Sequence, residues 1–359
     1  MFYPEWLKKG DLIGIPAPSA GIREEKLKRF DLSIENIKKA GYRVRETASV
    51  RSGLIASASG EARGREFMEL VEDDEIKMIW CAAGGEFLID MLPYLDEEKI
   101  KANPKWIQGY SDPTSILFSV TTGLDIATIY GCNGGGFGMT ELHSSLEENL
   151  KLWKGQLTEQ FSYELYEGER PKPEAPESEA SESEASESEV PVPESGETEK
   201  TEFDGYYLTN PVEWKTPNGP VKASGRLIGG CMDCLLDLIG TPQDHTREFV
   251  ERYKEDGFIW YFDVYSMTAE SVYRTLLHME RAGWLKYLKG VIFGRVAFPQ
   301  TFADMTYEEA AIQALGKDIP LIMEADVGHV SPRMTFVNGC MAHVEASDGK
   351  GRIRYEWRE

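Results

Sequence analysis

Chemistry is most legible around Trp106-Ile107-Gln108-Gly109-Tyr110-Ser111-Asp112-Pro113, an apolar, strand-like run that breaks at a serine. The next stretch, Pro113-Thr114-Ser115-Ile116-Leu117-Phe118-Ser119-Val120, predicts a helix with Pro113 in its first turn, where no N–H is needed. A serine at such a strand-to-helix turn projects its hydroxyl outward at the positive end of a helix dipole, and backbone N–H groups there can meet an oxyanion. Ser111 is therefore a candidate nucleophile, although the same position also suits a plain helix cap. A nucleophilic serine needs a base, and the base needs an orienting acid. Of the five histidines, His143 and His278 fall in helical patterns, His245 in a polar loop and His343 in a strand. His329 stands apart in the glycine-led turn Asp326-Val327-Gly328-His329-Val330-Ser331-Pro332. Asp263 ends the apolar strand 259–262 and reads either as an orienting acid or as an ordinary turn aspartate.

Two other patterns compete for attention. Cys231-Met232-Asp233-Cys234 has the spacing of a redox pair or half a zinc site, but no second CxxC or HxxxH completes a ligand set. It reads more simply as two small residues on a helix after Gly229-Gly230. The glycines between 131 and 138 miss the dinucleotide-binding spacing and include no P-loop lysine. No cofactor and no metal are expected.

Positioning these residues requires strands that end where they stand. Short apolar runs at 11–15, 77–83, 106–110 and 125–130, separated by helical patterns such as 24–40, predict a parallel, doubly wound α/β sheet over residues 1–150. Gly84-Gly85, Ser111 and the Gly134 cluster lie at the carboxyl ends of those strands, where such sheets gather ligands. Residues 203–359 alternate less regularly, with strands at 258–262, 290–294 and 319–323, a helix at 268–282 and hairpin-like strands at 339–346 and 352–357. They predict a mixed α/β domain. Between the two lies a connecting segment, 151–202. Its Ser/Glu/Pro-rich part, about 168–202, has too few apolar residues to repay ordering and is expected to be a disordered acidic insertion.

Composition narrows the partners. The formal net charge of −22 argues against nucleic acid or an anionic membrane. Twelve glutamates against three basic residues between 169 and 202 make −9 of that excess local to the insertion. No apolar run approaches the ~20 residues that span a bilayer. The N-terminus lacks the apolar core of a signal peptide. Five cysteines in apolar surroundings fit reduced thiols in a cytoplasmic protein.

Taken in order, several landmarks resemble the LD-carboxypeptidase family of serine peptidases, which includes the microcin C self-immunity proteins. They are Lys9-Gly10-Asp11, Ala17-Pro18-Ser19, the Arg63 helix after Ser57-Ala58-Ser59, Gly84-Gly85, and Asn103-Pro104-Lys105 leading into Gly109-Tyr110-Ser111-Asp112. Gly225-Arg226-Leu227-Ile228-Gly229-Gly230, Gly240-Thr241 and Gly328-His329 complete the set. The resemblance runs almost end to end, interrupted by the acidic insertion. It implies a catalytic triad with Ser111 as nucleophile and His329 as base, and an oxyanion hole from the amides of Asp112 and Gly85. Counting back from Arg274 and Gly283 puts the acid on Asp263, where many relatives have glutamate, with Glu270 as the fallback. An aspartate is one methylene shorter, so the backbone must come closer. Ala83 stands where many relatives carry arginine. The implied activity is removal of terminal D-alanine from muropeptide tetrapeptides, with a possible homodimer. Two alternatives are hydrolysis of peptidyl-aspartyl nucleotide amides, toward which Trp214 and Gly229-Gly230-Cys231 lean, and a silent ligand-binding protein on the same scaffold.

Overall fold

Short, wholly apolar runs become inner strands of a sheet covered on both faces, whereas alternating runs leave one face to solvent. The computed structural model describes residues 1–168 and 204–357; the acidic segment expected to be disordered falls on residues outside that range. In the first half, β1 (Leu12–Ile15), β2 (Arg43–Glu46), β3 (Ile76–Trp80), β4 (Trp106–Gly109) and β5 (Thr128–Tyr130) lie in the parallel order β5-β4-β3-β1-β2. Every residue of β4 and β5 is buried. The helix Leu27–Lys39 follows β1, and Gly41 stops it in a left-handed conformation (φ 104°) that a side chain would disfavour.

The second half adds β6 (Glu159–Phe161), β7 (Leu165–Glu167), β8 (Leu208–Pro211), β9 (Val221–Cys231) and β10 (Phe258–Asp263). They are followed by β11 (Leu288–Gly294), β12 (Leu321–Ala325), β13 (Phe336–Asn338), β14 (Met341–Ser347) and β15 (Lys350–Glu356). A seven-stranded sheet runs β12-β11-β10-β9-β14-β15-β6, parallel from β12 to β9 and antiparallel from β9 to β6. The strands β7 and β8 form a separate antiparallel pair. The mixed α/β architecture agrees with the pattern read from sequence, with two differences. The strand β13 leaves the second half to pair antiparallel with β5 at the edge of the first sheet, and β6, which lies in the segment expected only to connect the domains, pairs with β15.

The longest strand, β9, was hidden in the sequence by Gly225, Gly229 and Gly230. Those glycines are there because of close packing: a Cβ on Gly225 would stand 3.1 Å from the Gly257 carbonyl oxygen, and one on Gly230 2.4 Å from Thr114 Cγ2. The second contact brings the end of β9 onto the helix Thr114–Leu124, and the Cys231 amide donates to Thr114 Oγ1 at 2.9 Å. That helix is buried on nearly every side, with Phe118 stacked on Trp284 at 5.0 Å. Among the described residues no helix is long and apolar enough to cross a membrane.

One polar residue organises the first core. Gln108, fully buried on β4, takes hydrogen bonds on Oε1 from Trp153 Nε1 (2.6 Å) and Asn149 Nδ2 (3.0 Å). Its own amide donates to Asn149 Oδ1 (2.9 Å) and to the Cys132 carbonyl (2.9 Å). Replacing it with leucine strands the indole and amide donors, each at the desolvation cost of a buried unpaired group. Gln108→Leu is expected to destabilise the protein by about 2–4 kcal/mol, read from denaturant unfolding.

Candidate active site

The chain reverses from β4 into the next helix within four residues, and the sequence makes that turn possible. A Cβ on Gly109 would lie 2.6 Å from Pro113 Cβ, so only glycine lets the two limbs close. Asn133 clamps Tyr110 by accepting from its amide (3.0 Å) and donating to its carbonyl (3.1 Å). Ser111 is held in the left-handed region at φ 67°, a conformation that costs a non-glycine residue on the order of 1–2 kcal/mol. Its carbonyl accepts from the Thr114 amide at 2.8 Å, which starts the helix. Gly84 packs against it: a Cβ there would stand 3.1 Å from Ser111 Oγ.

The Asp112 side chain points away from the hydroxyl. Buried, it accepts from Ser19 Oγ and from the Leu88 amide (2.9 Å), and Ser19 Oγ in turn accepts from the Phe87 amide (3.3 Å). Burial raises its carboxyl above the usual range, with those donors opposing the shift. Asp112 thus ties the loop bearing Gly84 and Gly85 to the serine turn. From the other side Arg63, 1% exposed, donates to the carbonyls of Pro18 (2.7 Å) and Phe87 (2.8 Å) and pairs with Asp90. Gly85 itself is left-handed (φ 150°), and a Cβ there would stand 2.3 Å from Ser19 Oγ. No acceptor among the described residues takes the amide hydrogens of Asp112 or Gly85.

On the second sheet, Asp263 ends β10 with no solvent exposure. His329 Nδ1 lies 3.0 Å from Asp263 Oδ1 and 2.8 Å from Oδ2. The ring is packed between Tyr265 (4.5 Å between centroids) and Tyr110 (5.1 Å). The turn carrying it is anchored by buried Asp326, which pairs with Arg295 (2.8 Å) and accepts from Trp214 Nε1 (2.9 Å). Trp214 is 1% exposed and packed in the core. Gly328 gives the aspartate room: at φ 101°, a Cβ there would fall 2.2 Å from Asp263 Oδ1. The backbone of the histidine turn thus comes close to the Asp263 carboxylate.

Tyr130 escaped the sequence reading. Buried at the end of β5, it donates to Asp263 Oδ2 at 2.5 Å, while its oxygen lies 3.4 Å from the Ser111 amide. Its only advance signal was its place at a strand's carboxyl end. Burial, reinforced by the Asp263 charge, pushes the phenol well above its ordinary value, so the proton stays on tyrosine and the phenol donates. Burial alone would raise Asp263, but the His329 ring, its hydrogen bond and the Tyr130 phenol outweigh it and hold the carboxyl below its usual range. Among the described residues no hydrogen bond joins Ser111 Oγ to His329; Tyr130 and Tyr110 connect the two corners.

Glu270 lies elsewhere, accepting from Thr301 Oγ1 (2.7 Å) and the Ala303 amide (2.9 Å) in the loop that faces its helix. Cys231 and Cys234 are free thiols hydrogen-bonded to each other. That bond and burial push Cys231 well above the ordinary thiol value. Among the described residues no three His, Cys, Asp or Glu side chains gather to hold a metal. The other histidines have local duties, such as His143 capping the helix Ser144–Trp153.

A doubly wound sheet presenting a turn serine near a histidine–carboxylate pair defines an α/β protein of the hydrolase class. Residues 13–131 match the LD-carboxypeptidase N-terminal domain and residues 224–344 the LD-carboxypeptidase C-terminal domain of peptidase family S66, and the chain belongs to that family. A Vibrio cholerae protein bearing a provisional carboxypeptidase name is 23% identical over 370 residues, covering 99% of each chain. A Bacillus subtilis protein provisionally named a murein peptide carboxypeptidase is 25% identical over 243 residues, 67% of this chain and 60% of its own. The microcin C7 self-immunity protein MccF of Escherichia coli is 33% identical over 126 residues, 35% of this chain and 37% of its own. A solved structure of an MccF variant in complex with adenosine monophosphate matches the fold at TM-score 0.78 and 21% identity, over 99% of both chains.

Gly328→Ala adds a methyl group where Asp263 now sits and forces it into a left-handed backbone. It is expected to cost more than about 2 kcal/mol in stability, read from the unfolding transition. His329 would also separate from Asp263, seen as loss of the histidine Nδ1 proton resonance.

Proposed function

We propose that this chain is a serine peptidase that hydrolyses an amide bond through an acyl-enzyme, with Ser111, His329 and Asp263 as its triad. The observation that carries the proposal is the fully buried Asp263 carboxylate on His329 Nδ1, joined through Tyr130 to the amide of a serine held at φ 67°. With Nδ1–H bound to Asp263, Nε2 is the free base. It takes the Ser111 proton as Oγ attacks the carbonyl, and the amides of Asp112 and Gly85 hold the tetrahedral oxyanion. His329 then returns the proton to the leaving amine, and water activated by the same ring releases the acyl group.

The substrate we assign is a short peptide ending in a D-residue, as in a muropeptide tetrapeptide; the murein peptide carboxypeptidase name of one relative supports this choice. A second reading, hydrolysis of an amide between a peptidyl aspartate and a nucleotide-like group, draws on the adenosine monophosphate complex of the MccF variant. Wild-type protein incubated with a muropeptide tetrapeptide is expected to release free D-alanine, and Ser111→Ala is expected to abolish that release. Cleavage of an aspartyl-nucleotide amide alone would favour the second reading. No turnover of either would leave a binding protein on this scaffold.

Asparagine at 263 offers one acceptor where the carboxylate offers two, and its NH2 facing His329 would favour the Nε2–H tautomer, which cannot act as base. Asp263→Asn is expected to lower kcat by about 10³–10⁴-fold. Because the native carboxyl is held below its unfolded value near ~3.9, its stabilising contribution is present above that pH and is lost as pH falls through the native value. The stability gap between wild type and Asp263→Asn should therefore narrow below about pH 4, measured by denaturant unfolding across that range.

A further inference from the structure

Beside His329 opens a cavity of about 400 Å³ whose wall includes Ala83, Gly84, Tyr110, Arg29 and Arg333. Two guanidiniums face this one space from separate elements. Arg333, four residues past His329, lies over the Tyr110 ring at 4.4 Å and spends one nitrogen, Nη2, on the His329 carbonyl (3.2 Å) and Ser331 Oγ (3.0 Å). Its Nε is buried without a partner. Arg29 reaches in from the helix Leu27–Lys39, and its Nε is likewise buried and unpartnered. Neither arginine forms an ion pair among the described residues, unlike Arg63, Arg226 and Arg295, each of which is paired with an aspartate. Both act on the same neighbours: burial drives the Cys132 thiol and the Tyr206 phenol each up to about 12, and Arg333 and Arg29 pull against that rise at both. The other charged groups on the wall are Lys26, Glu25 and Glu167, so the charged side chains around the cavity carry three positive charges against two negative.

Buried N–H donors without acceptors are rare in folded proteins and call for a missing partner. Here two of them belong to cations beside the candidate base that, unlike Arg226 and Arg295 with their own unpartnered nitrogens, have no carboxylate paired with them among the described residues. We propose that Arg29 and Arg333 form the recognition site for an anionic oxygen group of the substrate, a carboxylate or a phosphate, in the cavity beside His329. The assignment rests on reading this cavity as the acyl-transfer site. An enzyme that removes a terminal residue has to sense its carboxylate, and each guanidinium offers it a buried, unpartnered Nε–H for a charge-assisted hydrogen bond. Stacking on Tyr110 and the bond to the His329 carbonyl fix Arg333 relative to both Ser111 and the base.

The test is calorimetric titration of Ser111→Ala protein, which holds ligand without turning it over. The probes are N-acetyl-L-alanyl-D-alanine, the same dipeptide as its C-terminal amide, and adenosine monophosphate. The acid is expected to bind about 10–100-fold more tightly than the amide, and that preference should fall to within about threefold in Ser111→Ala/Arg333→Met and in Ser111→Ala/Arg29→Gln. Arg29 leaves a partly exposed helix face, so its variant keeps the test in force should the Arg333 variant not fold. Arginine-dependent binding of the acid identifies a peptide carboxylate, and arginine-dependent binding of adenosine monophosphate identifies a phosphate; either supports the site. Equal binding of acid and amide with no nucleotide binding overturns it, as does a preference that survives both substitutions. Turnover by the wild type on the acid is read separately. A charge preference without turnover keeps the site and removes the hydrolase reading; turnover indifferent to the carboxylate does the reverse.

Discussion

Asp263 carries a charge into a place with no solvent, and a carboxylate survives there only when every strong acceptor site on it is matched by a donor. Its donors come from different parts of the chain: His329 from the turn after β12, and Tyr130 from the end of β5 on the other sheet. The aspartate therefore works as a rivet between the two halves as well as a partner for His329 Nδ1. Removing either donor leaves a buried charge short of a partner, which is costly, so the two sheets are held in one relation while His329 is held in one tautomer. Tyr130 then passes that constraint on through its contact with the Ser111 amide.

The serine turn has its own framework, and it too depends on a buried carboxylate. Asp112 spends its side chain on Ser19 and on the Leu88 amide, and Ser19 Oγ accepts from the Phe87 amide. Arg63 gathers the carbonyls of Pro18 and Phe87 from behind. Together they hold the Gly84-Gly85 loop against Ser111, so the distance between the turn hydroxyl and that loop is set by side-chain chemistry two layers away. A strained residue such as Ser111 persists only where its surroundings over-determine it, and Gly109, Pro113 and Asn133 supply that determination locally.

The sequence made the residue types and strand ends readable, but much less of what joins them. Ser111, Asp263 and His329 each stand just past an apolar run, which is where open α/β sheets collect functional groups. Their meeting was not readable, because it depends on β10 and β12 lying in one sheet and on β5 closing from the other. The strand β9 was missed because glycine weakens every strand signal, yet its glycines mark where Tyr261 and Thr114 press in. The short strand β13 was missed because three residues carry no usable period, and its pairing with β5 depends on tertiary contacts alone. Tyr130 looked like core because it is core, with one polar atom turned to use.

Asp263 shows how a short acid is accommodated by its neighbours. A shorter acid reaches the histidine only if the backbone around it comes closer, and the obstacle would be any side chain on the residue before His329. That residue is Gly328, whose left-handed φ and bare Cα leave the space that Asp263 Oδ1 fills. Gly328 thus gives the turn its shape and the acid its room, and neither duty tolerates a Cβ. An aspartate at this position is then consistent with an intact histidine–carboxylate pair, because the separation is set by the two backbones jointly and not by side-chain length alone.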